Sequence, residues 1–182
     1  MDFSSLYQSS EPPSVCFQEL LPEPEVVAED CPAADDLEVA FSRIRPESPL
    51  GAQVVLRIVR EGHPRGLHPL VRREAFRIGR EALLNAFRHS GAKRVEVNVE
   101  YASKRLRIAI HDNGKGISPE LFRSGCSGHV GLSWMQQQAE RMGAKLKLLS
   151  RVSAGTEVEL SIPAHIAFAS QASIQRLGWA HA

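Results

Sequence analysis

The sequence predicts an α+β fold in which a mixed, mostly antiparallel β-sheet carries helices on one face. The longest helical pattern covers residues 68–89, and alternating apolar side chains follow it at 95–99 and 105–111. Two more alternating runs, at 145–151 and 156–162, flank a glycine turn and predict a closing hairpin. These later runs form adjacent pairs, which is typical of an α+β sandwich. The pattern does not match a doubly wound dinucleotide-binding fold, because the Gly-rich turn of that fold should lead directly into a helix.

The region before the long helix is less regular. Residues 1–49 hold most of the 11 prolines and are predicted to be mostly disordered, with one short helix at 34–44. An alternating run at 54–59 predicts the first strand. We therefore divide the chain into a Pro-rich segment at 1–49, a domain at 50–163 and a tail at 164–182.

Start and stop signals support the two main helices. Pro69 suits the first turn of the long helix, and Gly91 is well placed to end it. A loop rich in Gly and Ser, at 113–130, precedes the second helix at 131–142, and Gly143 is its stop.

Composition excludes several classes of protein. The chain has 182 residues with 22 basic and 21 acidic side chains, so its net charge of +1 favours neither nucleic acid nor an anionic membrane as partner. Its 3 scattered cysteines are typical of reduced thiols in a cytoplasmic protein. We expect no membrane span, because no apolar run reaches the roughly 18 residues required, and the N-terminus lacks the pattern of a secretion signal.

The long helix carries a polar face with chemistry-bearing residues. Glu81, Asn85 and His89 are spaced at i, i+4 and i+8, with Arg88 beside them. An amide oxygen suits Mg²⁺, and a carboxylate one turn away can accept a proton or orient a water. Arginine and histidine can donate to phosphate oxygens. Such a stripe can also be an ordinary solvated helix face.

The third predicted strand ends in Asp112, followed by Gly114 and Gly116. An ionised carboxylate can accept hydrogen bonds from an exocyclic amine such as that of adenine, and glycines let the backbone approach a ligand. Taken alone, the segment also fits a Gly-rich turn with a turn-favouring Asp.

Two later segments add glycines. Gly128 lies just ahead of the second predicted helix and Gly131 is its first residue, where N-terminal amides can face phosphates, although a helix that follows a surface loop would look the same. Gly155 and Thr156 open the last strand, and the threonine hydroxyl can hold Asp112 or a bridging water.

Together these segments resemble the ATP-binding domain of sensor histidine kinases, within the larger group that includes gyrase, Hsp90 and MutL. Arg-Glu-Ala-Leu-Leu-Asn-Ala-Phe-Arg-His (80–89) is similar to the N box of that family, and Asp-Asn-Gly-Lys-Gly-Ile (112–117) to its G1 box. Gly-His-Val-Gly-Leu (128–132) and Gly-Thr-Glu-Val (155–158) resemble the later glycine box and the closing strand. The subgroup most resembled is that of nitrate, desaturase and LytS-like sensors.

The resemblance implies a three-layer, Bergerat-type α/β sandwich that binds ATP with Mg²⁺. It gives Glu81, Arg88 and His89 as catalytic residues. It assigns Mg²⁺ to Asn85 and Glu81, and the adenine base to Asp112. The other nucleotide-binding residues that it implies are Gly114, Gly116, Ile117, Gly128, His129, Val130, Gly131, Leu132, Gly155 and Thr156.

The pattern departs from the family at the phosphoacceptor. A kinase of this family needs a dimerisation helix pair with a phosphoaccepting His, and none of the 7 histidines heads a helix beside an acid. Residues 1–49 are too short and Pro-rich for two long helices. We therefore expect a phosphoacceptor-His dimerisation domain in another chain or a missing segment, with a response regulator as the eventual acceptor.

Three explanations stay open for this departure. The chain can be the C-terminal remnant of a larger sensor, or a stand-alone module similar to an anti-sigma-factor serine kinase. It can also be a non-catalytic nucleotide-binding interaction module, although the presence of Glu81 and Asn85 argues against a fully inactive site. The favoured hypothesis is transfer of the γ-phosphoryl group of Mg-ATP to a histidine in a two-component phosphorelay.

Overall fold

A computed structural model of the chain describes residues 36–46, 54–117 and 130–168. Its elements, in chain order, are α1 (Leu37–Ser42), β1 (Val55–Gly62), α2 (Pro69–His89), β2 (Arg94–Tyr101), β3 (Arg105–Asp112), α3 (Val130–Arg141), β4 (Lys145–Arg151), β5 (Gly155–Pro163) and α4 (Ala164–Ala167). Every strand and both main helices that the sequence predicts are therefore present.

The five strands form one sheet in the order β1-β2-β3-β5-β4. β1 and β2 run parallel because the 21-residue helix α2 returns the chain to the same end of the sheet between them. The other neighbours are antiparallel, including the predicted β2–β3 pair and the β4–β5 hairpin. The predicted mixed, mostly antiparallel sheet is confirmed.

The helices cover one face of this sheet. Alternate side chains of the central strands are fully buried there, among them Val95, Val97 and Val99, each at 0% exposure. On the opposite face most of the alternate positions are charged or polar, and Arg107 Nε lies 2.7 Å from Glu159 Oε2. Because that face offers little apolar surface, the described elements form two layers, and the three layers that the resemblance implied are not found in them.

Helix α1 packs on α2. Phe41 is fully buried and stacks on Phe76 with ring centroids 5.5 Å apart. Its ring occupies the place where a side chain at Gly79 would stand, so the glycine makes this contact possible. The short helix predicted at 34–44 is thus present and anchored in the core.

The described part of the C-terminal region also belongs to the packed unit. Ala167 is buried, and Phe168 forms a β-bridge with Leu67. The Arg65 guanidinium lies over the Phe168 ring, 3.7 Å from its centroid. The boundaries at 50 and 163 stay a prediction, but the packing continues on both sides of them.

Candidate functional site

A cavity of about 400 Å³ lies between α2, the start of α3 and the adjacent ends of β3, β5 and β4. Its apolar surface comes from all three strands and from α3, through Ile110, Met135, Leu148 and Val158. Helix α2 adds Ala82, whose small side chain leaves room beside the helix. The volume lies within the range of roughly 300–1,000 Å³ that small-molecule sites occupy.

Asp112 provides the buried carboxyl group of the cavity. It is 5% exposed, and its Oδ1 accepts a hydrogen bond from the Gly114 N–H at 2.8 Å. The Thr156 N–H also donates to its carboxylate. Burial raises the pKa of Asp112, whereas these two hydrogen bonds and the neighbouring His111 act in the opposite direction. The fold therefore holds a poorly solvated carboxyl group at a cavity wall.

Helix α2 presents Asn85 and His89 to the cavity, one turn apart. Glu81, one turn earlier, lies against the first turn of α3. A Cβ at Gly131 would overlap Glu81 Oε1 and would approach Asn85 Nδ2 to 3.3 Å, so the glycine lets the first turn of α3 come close to both side chains. The predicted polar face of the helix thus turns towards both the cavity and the start of α3.

The loop after β3 is fixed to α2 and to the turn that follows it. The Ser90 carbonyl accepts the Lys115 N–H at 2.9 Å. Asn113 Oδ1 accepts the N–H groups of Lys93 at 3.0 Å and Arg94 at 2.9 Å. These bonds connect the loop to the C-terminal end of the helix that carries Asn85 and His89.

The same loop is fixed to the β4–β5 hairpin on its other side. The Ile117 N–H donates to Ser150 Oγ at 2.8 Å, and the Ser153 N–H donates to the Lys115 carbonyl at 2.8 Å. Gly116 adopts φ 71°, and a side chain there would overlap the Arg151 carbonyl oxygen. The segment between Asp112 and Ile117 is therefore held from both sides.

The structure brings together most of the predicted site residues that it describes. Those that line the cavity are Asn85, His89, Asp112, Gly116, Ile117, Gly131, Leu132 and Thr156. Gly114 and Gly155 stand just behind them, where side chains would overlap the backbone of Ser90 and Asp112, respectively.

Four predicted residues have a different outcome. Within the described ranges, the exposed Arg88 is not among the residues that line the cavity. Gly128 and His129 lie outside the described residues, and Val130 is described only as the first residue of α3. The binding and catalytic roles of all these residues stay predictions.

Sequence reasoning missed three polar residues around the cavity, as well as most of the apolar residues that line it. Lys115 and Ser90 line it, and Ser150 stands behind Thr156. Lys115 lies inside the Asp-x-Gly-x-Gly segment, so its place beside the cavity could have been predicted from that segment. Ser150 had no such signal, because its place depends on the register between β4 and β5.

The segment that forms the cavity matches a known family of ATPases. The model of the histidine kinase-, DNA gyrase B-, and HSP90-like ATPases matches residues 71–166, which include most of α2, the cavity and the closing hairpin. The chain belongs to this ATPase family. The resemblance drawn from the four sequence segments is thereby confirmed.

Two of the relatives that the chain resembles are sensor proteins by name. The chain is 35% identical over 88 residues to the sensor histidine kinase LiaS of Bacillus subtilis, a match over 48% of this chain and 24% of LiaS. It is 36% identical over 81 residues to the nitrate/nitrite sensor protein NarX of Escherichia coli, over 44% of this chain and 13% of NarX. The matched segment is thus a quarter or less of these proteins.

Solved structures support the fold. The histidine kinase domain of the blue-light activated histidine kinase of Erythrobacter litoralis EL346 aligns with a TM-score of 0.57 at 20% identity, covering 75% of this chain and 64% of that domain. In the described part of our chain, none of the helices has the length and apolar character needed to cross a membrane.

Proposed function

We propose that this chain binds Mg-ATP in the cavity and acts as the ATP-binding domain of a sensor histidine kinase. In this function it transfers the γ-phosphoryl group to a histidine on another polypeptide or segment. The observation that carries the proposal is the buried carboxylate of Asp112, which faces an otherwise largely apolar cavity beside the Thr156 hydroxyl. This combination fits the amine-bearing edge of adenine.

The residues present fit the base. The lone pairs of the Asp112 carboxylate that are not used within the protein can accept a hydrogen bond from the exocyclic amine of adenine. Guanine would instead place a carbonyl oxygen against the carboxylate. Ile110, Met135 and Val158 supply apolar surface for a flat ring. Adenine nucleotides are therefore expected to bind in preference to guanine nucleotides.

The residues present also fit Mg²⁺ bound together with the nucleotide. The described residues contain no cluster of three or more His, Cys, Asp or Glu that could hold a metal by themselves. Mg²⁺ is typically held by one or two protein oxygens together with phosphates and waters. The amide oxygen of Asn85 and the carboxylate of Glu81 are the groups that would hold it, and the ion would neutralise charge on the phosphates.

Three further groups support phosphoryl transfer. Glu81 can accept a proton or orient a donor at the transferred group, and His89 can donate to phosphate oxygens or the sugar. Arg88 is proposed to contact phosphate, although it lies outside the described cavity wall. Catalysis would consist mainly of positioning and charge neutralisation.

The partners follow from the same proposal. LiaS is a sensor histidine kinase and NarX a nitrate/nitrite sensor by name. We infer a phosphoacceptor-His dimerisation domain as the direct partner and a response regulator as the next acceptor, both in the cytoplasm.

Nucleotide titration of the full chain tests this function. We expect ATP and ADP to bind and GTP to bind at least about tenfold more weakly, since guanine loses a hydrogen bond to a charged group. Incubation with γ-labelled ATP and a histidine-bearing helix-pair domain should give an acid-labile phosphohistidine. An acid-stable phosphoserine would instead support the serine-kinase alternative, and equal binding of ATP and GTP would contradict the adenine site.

A further inference from the structure

Three polar side chains stand side by side at the ends of three adjacent strands. Asp112 of β3 is opposite Thr156 of β5, and Thr156 is opposite Ser150 of β4. All three side chains point to the helix-covered face, because each is two residues along its strand from a residue that lines the cavity. These residues are Ile110, Val158 and Leu148, respectively. Asp112 and Thr156 line the cavity, whereas Ser150 stands behind Thr156 and has no role in the proposed function.

The Ser150 hydroxyl makes three polar contacts. Its Oγ accepts the Ile117 N–H at 2.8 Å, and it lies 3.0 Å from Thr156 Oγ1 and 3.2 Å from the Gly155 carbonyl oxygen. A hydroxyl has one proton to donate, so Ser150 can donate either to Thr156 or to Gly155. The direction of the Ser150 proton therefore determines whether the Thr156 hydroxyl presents its proton or its lone pairs to the cavity.

The two arrangements differ in the direction of the Thr156 proton. If Ser150 donates to Gly155, Thr156 can donate to Ser150, and the cavity meets only the lone pairs of Thr156. If Ser150 donates to Thr156, the Thr156 proton is left to point into the cavity. A ligand with an acceptor at that position favours the second arrangement.

We propose that Ser150 is a positioning residue that directs the Thr156 hydroxyl proton towards the ring nitrogen beside the exocyclic amine of the bound purine. The inference rests on the proposed ATP binding, because it concerns the base contact of the same site. In adenine that amine is a donor and the adjacent N1 is an acceptor, so Asp112 and Thr156 meet them with complementary groups. The Thr156 contact is made directly or through one bridging water.

The inference is tested by calorimetry on the full chain with ATP and with 1-deaza-ATP, in which N1 is replaced by C–H. We expect Ser150→Ala to weaken ATP binding about fivefold, because the variant loses the hydrogen bond from Ser150 that fixes the direction of the Thr156 hydroxyl. The binding of 1-deaza-ATP should be unchanged, since that nucleotide has no acceptor for the Thr156 proton. Ser150→Thr, which keeps the hydroxyl, should bind both nucleotides as the unaltered chain does.

A second variant separates positioning from a structural role of Ser150. In a Thr156→Val background, Ser150→Ala should cause no further loss of ATP affinity, because the serine acts through the threonine hydroxyl. Thermal unfolding of each variant verifies that it is folded.

Two results would overturn the inference alone. One is an equal loss of ATP and 1-deaza-ATP affinity in Ser150→Ala, repeated in the Thr156→Val background, because that would show that Ser150 only holds Ile117. The other is ATP binding unchanged by Ser150→Ala. Failure of the unaltered chain to bind ATP would overturn the proposed function and, with it, the inference.

Discussion

At the scale of single residues, Asp112 bears both on folding stability and on the proposed function. Its carboxyl group is 5% exposed and its pKa is raised by burial. A charged form at neutral pH therefore costs folding free energy, although the Gly114 and Thr156 N–H groups offset part of the cost. A purine amine would supply a further donor to the same carboxylate.

The variant Asp112→Asn should show how much the ionisation of Asp112 affects folding stability. A folded-state pKa above the unfolded value means that the folded protein holds the proton more tightly, so stability is greatest below the unfolded pKa and falls as the pH rises through the folded pKa. The asparagine side chain of the variant cannot ionise, so the variant should lack this fall. Chemical denaturation from about pH 4 to about pH 8 measures it, and an identical pH dependence in both proteins would contradict the expectation.

Asn85 gives a second prediction at the residue scale. Asn85→Ala removes the amide oxygen assigned to Mg²⁺, so ATP binding should lose most of its dependence on Mg²⁺. Affinity measured with and without Mg²⁺ tests this, and Gln136→Ala is the matched control, because this exposed amide of α3 interacts with Glu140 on the helix surface. Undiminished Mg²⁺ dependence in Asn85→Ala would show that the amide does not hold the ion.

The residues of the site were predictable to different degrees. Asp112 and Asn85 were identified because each occupies a position that local pattern defines, the end of a strand and the polar face of a helix. Ser150 was not predicted, since its role arises from cross-strand pairing with Thr156. Register of this kind depends on the whole sheet.

At the scale of elements, the loop between Asp112 and Ile117 is braced by α2 on one side and by the β4–β5 hairpin on the other. The hairpin reaches the loop because Gly155 starts β5 directly against the Asp112 backbone. It has φ 89°, and a Cβ there would overlap the Asp112 carbonyl oxygen. Correct placement of Thr156 therefore depends on this glycine.

Two glycine substitutions test that dependence. Gly91 also has a positive φ, 64°, but a Cβ there would meet nothing within 4 Å. Gly91→Ala should cost about 1–2 kcal/mol of stability from backbone strain alone. Gly155→Ala should cost at least about 1 kcal/mol more, because the overlap forces β3 and β5 apart. Urea unfolding measures both values, and equal losses would contradict the close approach.

At the scale of the whole molecule, the packed unit extends beyond the segment that the sequence patterns outlined. Alternation and helical spacing identified the strands and main helices, and both are local signals. The parallel placement of β1 beside β2 and the docking of α1 and Phe168 depend on contacts distant in sequence. Short apolar segments such as 37–42 give no local sign of what they pack against.

Helix α1 gives the prediction at this scale. Phe41 is 0% exposed, whereas Val39 on the same helix is 42% exposed. Phe41→Ala should lower the free energy of unfolding by about 3–5 kcal/mol, and Val39→Ala should have little effect. Equilibrium denaturation of the full chain compares them. If Phe41→Ala is as stable as Val39→Ala, α1 is not part of the folded core.

The proposed function depends on the binding of ATP through Asp112. Calorimetric titration of the full chain with Mg-ATP, beside Asp112→Asn, tests it most directly. We expect the unaltered chain to bind Mg-ATP and the variant to lose at least about tenfold in affinity, because the variant folds but cannot offer a carboxylate to the adenine amine. Equal affinity in the two proteins, or no binding of ATP at millimolar concentration by the unaltered chain, would contradict it.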